Sequence, residues 1–470
     1  MNVILAEPIQ PARDHPLGPP AVPAFPDGAL LGLSAHLAAR SRHGCRVIDL
    51  NMHRDPPAAL RQAVLDTPLP RLLLIHVRYT SLPEAIALTY FARQTFPDIR
   101  IGWFGPFPTT FPDQARGVAG VDFALCGDPE PVMRGMLDFY GLPQRVTKVP
   151  GLWIENPPAH PGPIWLDPLN GRDLTYWTSC WYADPATLRE PDSGEARARL
   201  TRGHTGLPCD RAHPGLGRPL RRMDLREMAV LFDKLPSLGV TSIAMEDPPG
   251  VWDPDTLSEW CGMLDSYRNS RKWSLTLLPA VLSDDLVTRL KNSWCGRVDF
   301  LFPSCDPALL QKYGCLLRPD QLRGTLRRLK AAGVHSRAVF WIGGPEESPG
   351  EAARVYAAIT RLGLPDHRVE AFPYHPDSML AAEMHGTPNA PDIDDWFRRA
   401  MALEEDLPPL SWSGPGAPDS LRTTAAEIRR RMEKNPRLWT RNAMHTLRNI
   451  DWQDEIERRL PAWLKPEVRG

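Results

Sequence analysis

RLLLIHVRYTSLPEAIALTYFARQTFPDIRIGWFGP, residues 71–106, decides the fold. RLLLIHV is a near-continuous apolar run of strand length, the pattern of a strand covered on both faces. LPEAIALTYFARQTF carries apolar residues at helical spacing, and RIGWFGP returns to a strand. A strand, a helix and a second strand in tight succession make one unit of a parallel sheet. Upstream, NVILAEP and CRVIDLNMH are strands, with GALLGLSAHLAARSRHG a helix that stops at Gly44. PPAALRQAVLDTP is the next helix. Downstream, VDFALCG is a fifth strand and EPVMRGMLDFYG the closing helix. Five alternating units predict a Rossmann-like, flavodoxin-like α/β domain over residues 1–140, with ligands at the carboxyl ends of the strands.

A second alternating region follows a Pro- and Trp-rich connector, residues 141–200. TSIAMED, WSLTLLP, RVDFLFPS, SRAVFWIGG and RVEAFPYHP read as strands. MDLREMAVLFDKLPSLG, DTLSEWCGMLDSYRN, SDDLVTRLKNSW and RPDQLRGTLRRLKAAG read as helices between them. With a further helix from Glu351 onward, this alternation predicts a partial (β/α)6 barrel of TIM type over residues 201–385, with its site at the strands' carboxyl ends. Residues 386–470 are charged and helical, and are expected to cap or dock.

Composition narrows the function. Lys+Arg 55 against Asp+Glu 56 gives a net charge of −1, which argues against nucleic-acid and anionic-membrane partners. Hydrophobic content of 42% supports a buried core, and the 52 prolines punctuate periodic segments without forming a repeat. No apolar run spans a bilayer, the start lacks a secretory pattern, and the 8 cysteines are scattered, so a cytoplasmic protein is expected.

LLGLSAHLAARSRHGCRVIDLN, RYTSLPEA, GPFPTTFPD and GDPEP, taken in order, resemble the cobalamin-binding domain of cobalamin-dependent radical SAM enzymes. LTRGHTGLPC, RRMDLREM, SIAMEDPP, FPSCDPALLQKYG and FWIGGPEES resemble the barrel that follows it. The resemblance covers about residues 3–380. It implies cobalamin on the first domain, and a barrel that in the family holds an iron–sulfur cluster and S-adenosylmethionine. By the resemblance, Arg78, Tyr79, Thr80 and Ser81 lie under the corrin. Gly105, Thr109, Gly127 and Glu130 line the groove for its nucleotide tail, and Gly343 and Gly344 sit beside a planar ligand. Arg78 either reaches the corrin's amide rim or pairs with an acid such as Glu84. His15, in Asp14-His15-Pro16-Leu17-Gly18, resembles the cobalt-ligating Asp-x-His-x-x-Gly loop of classical base-off cobalamin domains with one residue missing.

The chain departs from the family where the chemistry is carried. The family's CxxxCxxC loop supplies three thiolates to a [4Fe–4S] cluster. Here the loop is TRGHTGLPCDRAH, with Cys209 its one thiol. His204, Cys209 and His213 are the candidate metal ligands if the altered loop still binds a metal, iron or zinc. A family Gly-x-Glu-Ser strand end is replaced by Leu301-Phe302-Pro303-Ser304, whereas Glu246-Asp247 survives. A [4Fe–4S] cluster is therefore not expected, and S-adenosylmethionine stays open as a second cofactor. His375 and Tyr374, at the last strand end, are acid/base candidates by position. Tyr176, Trp177, Trp181 and Tyr182 form an aromatic cluster fit for stacking or for packing.

The leading expectation is an enzyme of methyltransferase type that uses cobalamin without a radical initiator and acts on a small-molecule or peptide substrate. A non-catalytic pseudoenzyme that partners an active homologue is the alternative. A radical enzyme with unusual cluster ligands is the third reading.

Overall fold

The structure is a computed structural model. It describes residues 1–9, 28–40, 43–53, 55–79, 81–154, 195–198, 200–202, 221–222, 224–226, 228, 232, 242–245, 247–267, 271–315, 317–348, 350–363, 367–372, 374, 378–387 and 391–403.

The decisive stretch folds as read. β3 (Arg71–His76), α3 (Leu82–Thr95) and β4 (Arg100–Phe104) form one parallel unit. β1 (Asn2–Glu7), α1 (Gly28–Arg40), β2 (Gly44–Asp49), α2 (Pro56–Asp66), β5 (Phe123–Leu125) and α6 (Pro129–Asp138) complete the domain. Strand order is β2-β1-β3-β4-β5, the flavodoxin order, with β6 (Leu152–Ile154) added antiparallel beyond β5. Its crossover helices leave β1, β3 and β4 apolar on both faces. One core joins Ile4, Leu73, Ile75 and Trp103, the other Val3, Leu5, Leu72 and Leu74. Two short helices, α4 (Pro106–Thr110) and α5 (Pro112–Gly117), occupy GPFPTTFPD. Pro at N1 suits both starts, because its missing N–H has no partner in a first turn.

The second sheet is parallel throughout, in the order β14-β13-β12-β11-β10-β7. Its strands are β7 (Glu195–Ala198), β10 (Ser242–Met245), β11 (Lys272–Leu277), β12 (Cys295–Phe302), β13 (His335–Ile342) and β14 (His367–Ala371). β8 (Thr201–Arg202) and β9 (Arg221–Arg222) make a separate antiparallel pair just past the carboxyl end of β7. β7 lies ahead of residue 201, inside the stretch read as connector, because four residues without a long apolar run leave no pattern to see. Helices cover the outside: Pro254–Ser266, Asp284–Asn292, Arg323–Ala332 and Glu351–Leu362. Side-chain caps from Asp253 and Ser283 start the first two, and Gly333 and Gly363 in the left-handed conformation end the last two.

The helix Ile393–Met401 packs back on the first domain, with Trp396 and Ala400 in its core and Phe397 stacked on Phe107 at 5.8 Å. No described helix is long and apolar enough to cross a membrane.

Candidate active site between two sheet edges

Polar residues gather at the carboxyl edge of the first sheet. Glu7 ends β1, Asp49 ends β2, His76 ends β3 and Arg78 follows it. Glu7 is buried and takes His76 Nδ1 on one oxygen (2.8 Å) and Arg78 Nη2 on the other (2.7 Å). Arg78, for which the sequence offered Glu84, thus pairs with Glu7. Asp49 accepts from Asn51 N (2.9 Å) and Asn51 Nδ2 (2.7 Å) through Oδ1, while its buried Oδ2 has no hydrogen-bond partner among the described residues. Burial pushes the Asp49 carboxyl up to about 6, its bonds from Asn51 pull it down, and the Glu7 charge adds to the rise.

Three of the sequence-named residues meet in one hydrogen-bonded chain. Thr109 Oγ1 donates to Gly105 O (2.8 Å) and accepts from Gly127 N (3.1 Å), which ties the end of β4 to the end of β5. Gly105 has φ of +113°, and a Cβ there would meet His76 Cδ2 at 2.7 Å and Val77 O at 2.9 Å, so glycine is required by its neighbours. Ser81 is buried at the start of α3, its Oγ 3.4 Å from Arg78 N. Tyr79 turns into the core and its phenol bonds Thr110 Oγ1 at 2.6 Å, which places it away from the ligand edge. Thr80 and His15 lie outside the described residues.

Glu130, expected to close the groove, is held in an ion pair. Arg202, just past β7, takes both its oxygens (Nη2–Oε1 2.6 Å, Nη1–Oε2 2.9 Å) and reaches Asp128 Oδ1 at 3.3 Å. Arg221 bonds Asp128 Oδ2 at 2.5 Å. Gly32 on α1 makes room, since a Cβ there would stand 3.3 Å from both Arg202 Nη2 and Glu130 Oε1. Burial works against the Arg202 charge, but Glu130 and Asp128 outweigh it and hold its pKa above the ordinary value. The cluster holds the carboxyl end of the first sheet against the carboxyl end of β7. The carboxyl edge of the first sheet and the carboxyl end of β7 are therefore brought together.

The barrel interior contains a cavity of about 460 Å³. TIM barrels are normally filled there by branched apolar side chains. Here alternate residues of β12, β13 and β14 put Arg297 and Asp299, Arg337, and Arg368 and Glu370 into it, with Trp341 toward the mouth. The other face of the same strands, with Val298, Phe300, Ala338, Phe340 and Val369, is the apolar core. Asp299 is bracketed by Arg297 (3.2 Å) and Arg337. Arg368 has no hydrogen bond or ion pair among the described residues. Burial and the nearby Arg337 pull its pKa down, and Glu370 opposes them. This floor was missed in the sequence, although R-x-D in β12 and R-x-E in β14 alternate with apolar residues at period two.

At the mouth, Asp247 accepts from Leu200 N (2.9 Å), Thr201 N (2.8 Å) and Thr201 Oγ1 (2.6 Å). It is buried and locks the loop after β7 onto the end of β10. Gly343 N and Gly344 N both donate to Glu347, so these strand-end amides are already engaged. Burial drives the Glu347 carboxyl up to about 7, against the Gly343 bond, with the Glu351 charge adding. Glu351 accepts from Ser304 Oγ (3.0 Å) and Cys305 N (2.5 Å). Tyr374 packs against the apolar cluster of Tyr313, Phe372 and Leu380. His375, Glu246, the loop with His204, Cys209 and His213, and the aromatic set from Tyr176 to Tyr182 lie outside the described residues. No group of three metal-ligating side chains occurs among the described residues.

The fold is that of cobalamin-dependent radical S-adenosylmethionine enzymes, a Rossmann-like domain followed by a partial barrel. The chain is similar to the radical S-adenosylmethionine methyltransferase TsrM from Kitasatospora setae. With cobalamin and a [4Fe-4S] cluster bound, that structure matches at a TM-score of 0.69 and 14% identity, over 97% of this chain and 98% of that one. With its tryptophan substrate and the analogue aza-SAM bound, it matches at 0.68 and 15%, over 92% and 89%. The cobalamin-dependent S-adenosylmethionine radical enzyme OxsB with aqua-cobalamin matches at 0.57 and 13%, over 92% of this chain and 61% of that one. No protein-family model matches the chain, and no curated protein matches it.

Proposed function

We propose that this chain binds cobalamin at the carboxyl edge of the first sheet and transfers a methyl group to a substrate in the barrel cavity without the usual [4Fe–4S] cluster. The observation that carries the reading is the cluster of Asp128, Glu130, Arg202 and Arg221, which joins the carboxyl edge of the first sheet to the carboxyl end of β7. The donor set at the first edge fits a corrin with its rim of amides. The free Asp49 Oδ2 accepts from an amide N–H, and the Arg78 guanidinium donates to an amide oxygen. Glu7 fixes the orientation of Arg78, and Gly105, Thr109 and Gly127 form a hydrogen-bonded floor beside them.

Held there, cobalamin would supply methyl-transfer chemistry toward a nucleophilic substrate atom. The barrel side chains bind and orient that substrate, and the Asp247 lock shapes the mouth. TsrM carries a [4Fe-4S] cluster; the single thiol of TRGHTGLPCDRAH supports a reading without one here. S-adenosylmethionine is the methyl donor that the likeness to TsrM favours.

Protein purified anaerobically from cobalamin-fed cells is examined by UV-visible spectroscopy and metal analysis. Stoichiometric cobalt with little iron is the expected result. Iron and sulfide near four equivalents per chain would refute the cluster-free reading. Neither metal would refute cobalamin binding and favour the non-catalytic partner.

A further inference from the structure

The floor of the barrel carries guanidinium donors that have no acceptor among the described residues. Arg297 and Arg337 are third residues of β12 and β13, and Arg368 is the second of β14, so all three lie toward the amino ends of the strands. Arg297 and Arg337 share the one carboxylate of Asp299. Arg337 Nε is buried with no hydrogen-bond acceptor among the described residues, and the more exposed Arg368 lines the cavity with no ion pair among them. A buried guanidinium without an acceptor is costly, and a bidentate carboxylate is its matching partner.

We propose that this floor binds the carboxylate of a small organic acid, with the body of the acid extending toward Trp341 and the mouth. As a statement about the substrate it rests on the reading above; as a statement about binding it stands on the side chains alone. Two features select a carboxylate over a phosphate. Glu370 and Asp247 line the same cavity, so three guanidiniums face three carboxylates in all, and a second negative charge on the ligand would be repelled. The cavity of about 460 Å³ also falls within the range for small organic ligands and has an aromatic wall.

Calorimetric titration of the full chain with phenylacetate and hexanoate, beside phenylacetamide and hexanamide, tests the assignment. The acids are expected to bind at least about tenfold tighter than the amides, the ratio that one charge-assisted bond supplies. Arg368→Gln should abolish that preference and Arg368→Lys keep part of it, with unchanged circular dichroism and Tm showing that both variants fold. Equal binding of acid and amide, no binding of either acid, or an unaffected Arg368→Gln variant overturns the proposal. Tighter binding of inorganic phosphate would reassign the floor to phosphate. Displacement of phenylacetate by S-adenosylmethionine would reassign it to that molecule's own carboxylate. A preparation that binds phenylacetate but holds no cobalt refutes the functional reading and leaves the carboxylate site standing.

Discussion

Replacing Glu130 with Gln should weaken the joint between the two domains. Glu130 and Asp128 face Arg202 and Arg221, two carboxylates against two guanidiniums, with side-chain exposures of 2%, 7%, 22% and 7%. Glu130→Gln keeps the shape but leaves two cations against one anion. Its amide can accept one Arg202 N–H, whereas its NH2 must turn toward the other, donor against donor. Breaking a buried pair in this way costs about 3–5 kcal/mol, and the partial exposure of Arg202 lowers that to about 2–4 kcal/mol. Because the cluster spans the domains, part of the loss should appear as separate unfolding of one domain before the other. Urea denaturation followed by tryptophan fluorescence and circular dichroism measures both effects. Glu259→Gln, which breaks the exposed Arg222–Glu259 pair at 3.1 Å, is the control and should cost less than about 0.5 kcal/mol. A cost for Glu130→Gln no larger than that of the control, with coincident transitions by both probes, would refute the reasoning.

Three further outcomes follow from the same structure. Asp49 has its carboxyl raised from 3.8 to about 6, so its contribution to stability is present below about pH 4 and lost as pH rises through about 6. Asp49→Asn should flatten that loss and be the more stable protein at pH 7.5, by at most about 3 kcal/mol; parallel stability profiles for the two proteins would contradict this. Glu347, raised from 4.5 to about 7, predicts the same sign across pH 4.5–7, and Glu347→Gln should remove up to about 2 kcal/mol of pH dependence in denaturant titrations over that range. Phe397→Ala removes the ring stacked on Phe107 and should cost about 2–3 kcal/mol and speed proteolysis near residue 400, while unchanged cleavage would detach that helix from the first domain.

Much of the architecture was legible in the chain. RLLLIHV reads as a strand covered on both faces, and its neighbours repeat the pattern often enough to give a flavodoxin-like domain and five of the six barrel strands. β6 and β7 escaped because strands of three and four residues in Pro-rich sequence carry too few side chains to show a period. Among the site residues, Gly105, Thr109 and Gly127 do meet. Tyr79 lies next to Arg78 in the chain, yet it points into the core, because successive residues leaving a strand face opposite ways.

What the sequence determined alone is what depends on local order: the alternation of strands and helices, the turn residues that end them, and a cluster loop with a single thiol. Which charges neutralise which was decided by the tertiary structure. Glu130 meets Arg202 across 72 residues, Asp128 meets Arg221 across 93, and Asp299 meets Arg337 across 38. The same three-dimensional closure leaves Arg368 lining a cavity with no ion pair among the described residues. A carboxylate reads alike in sequence whether it binds a ligand or locks two domains together. Only burial, which makes each charge find a partner or pay for its absence, tells the two apart.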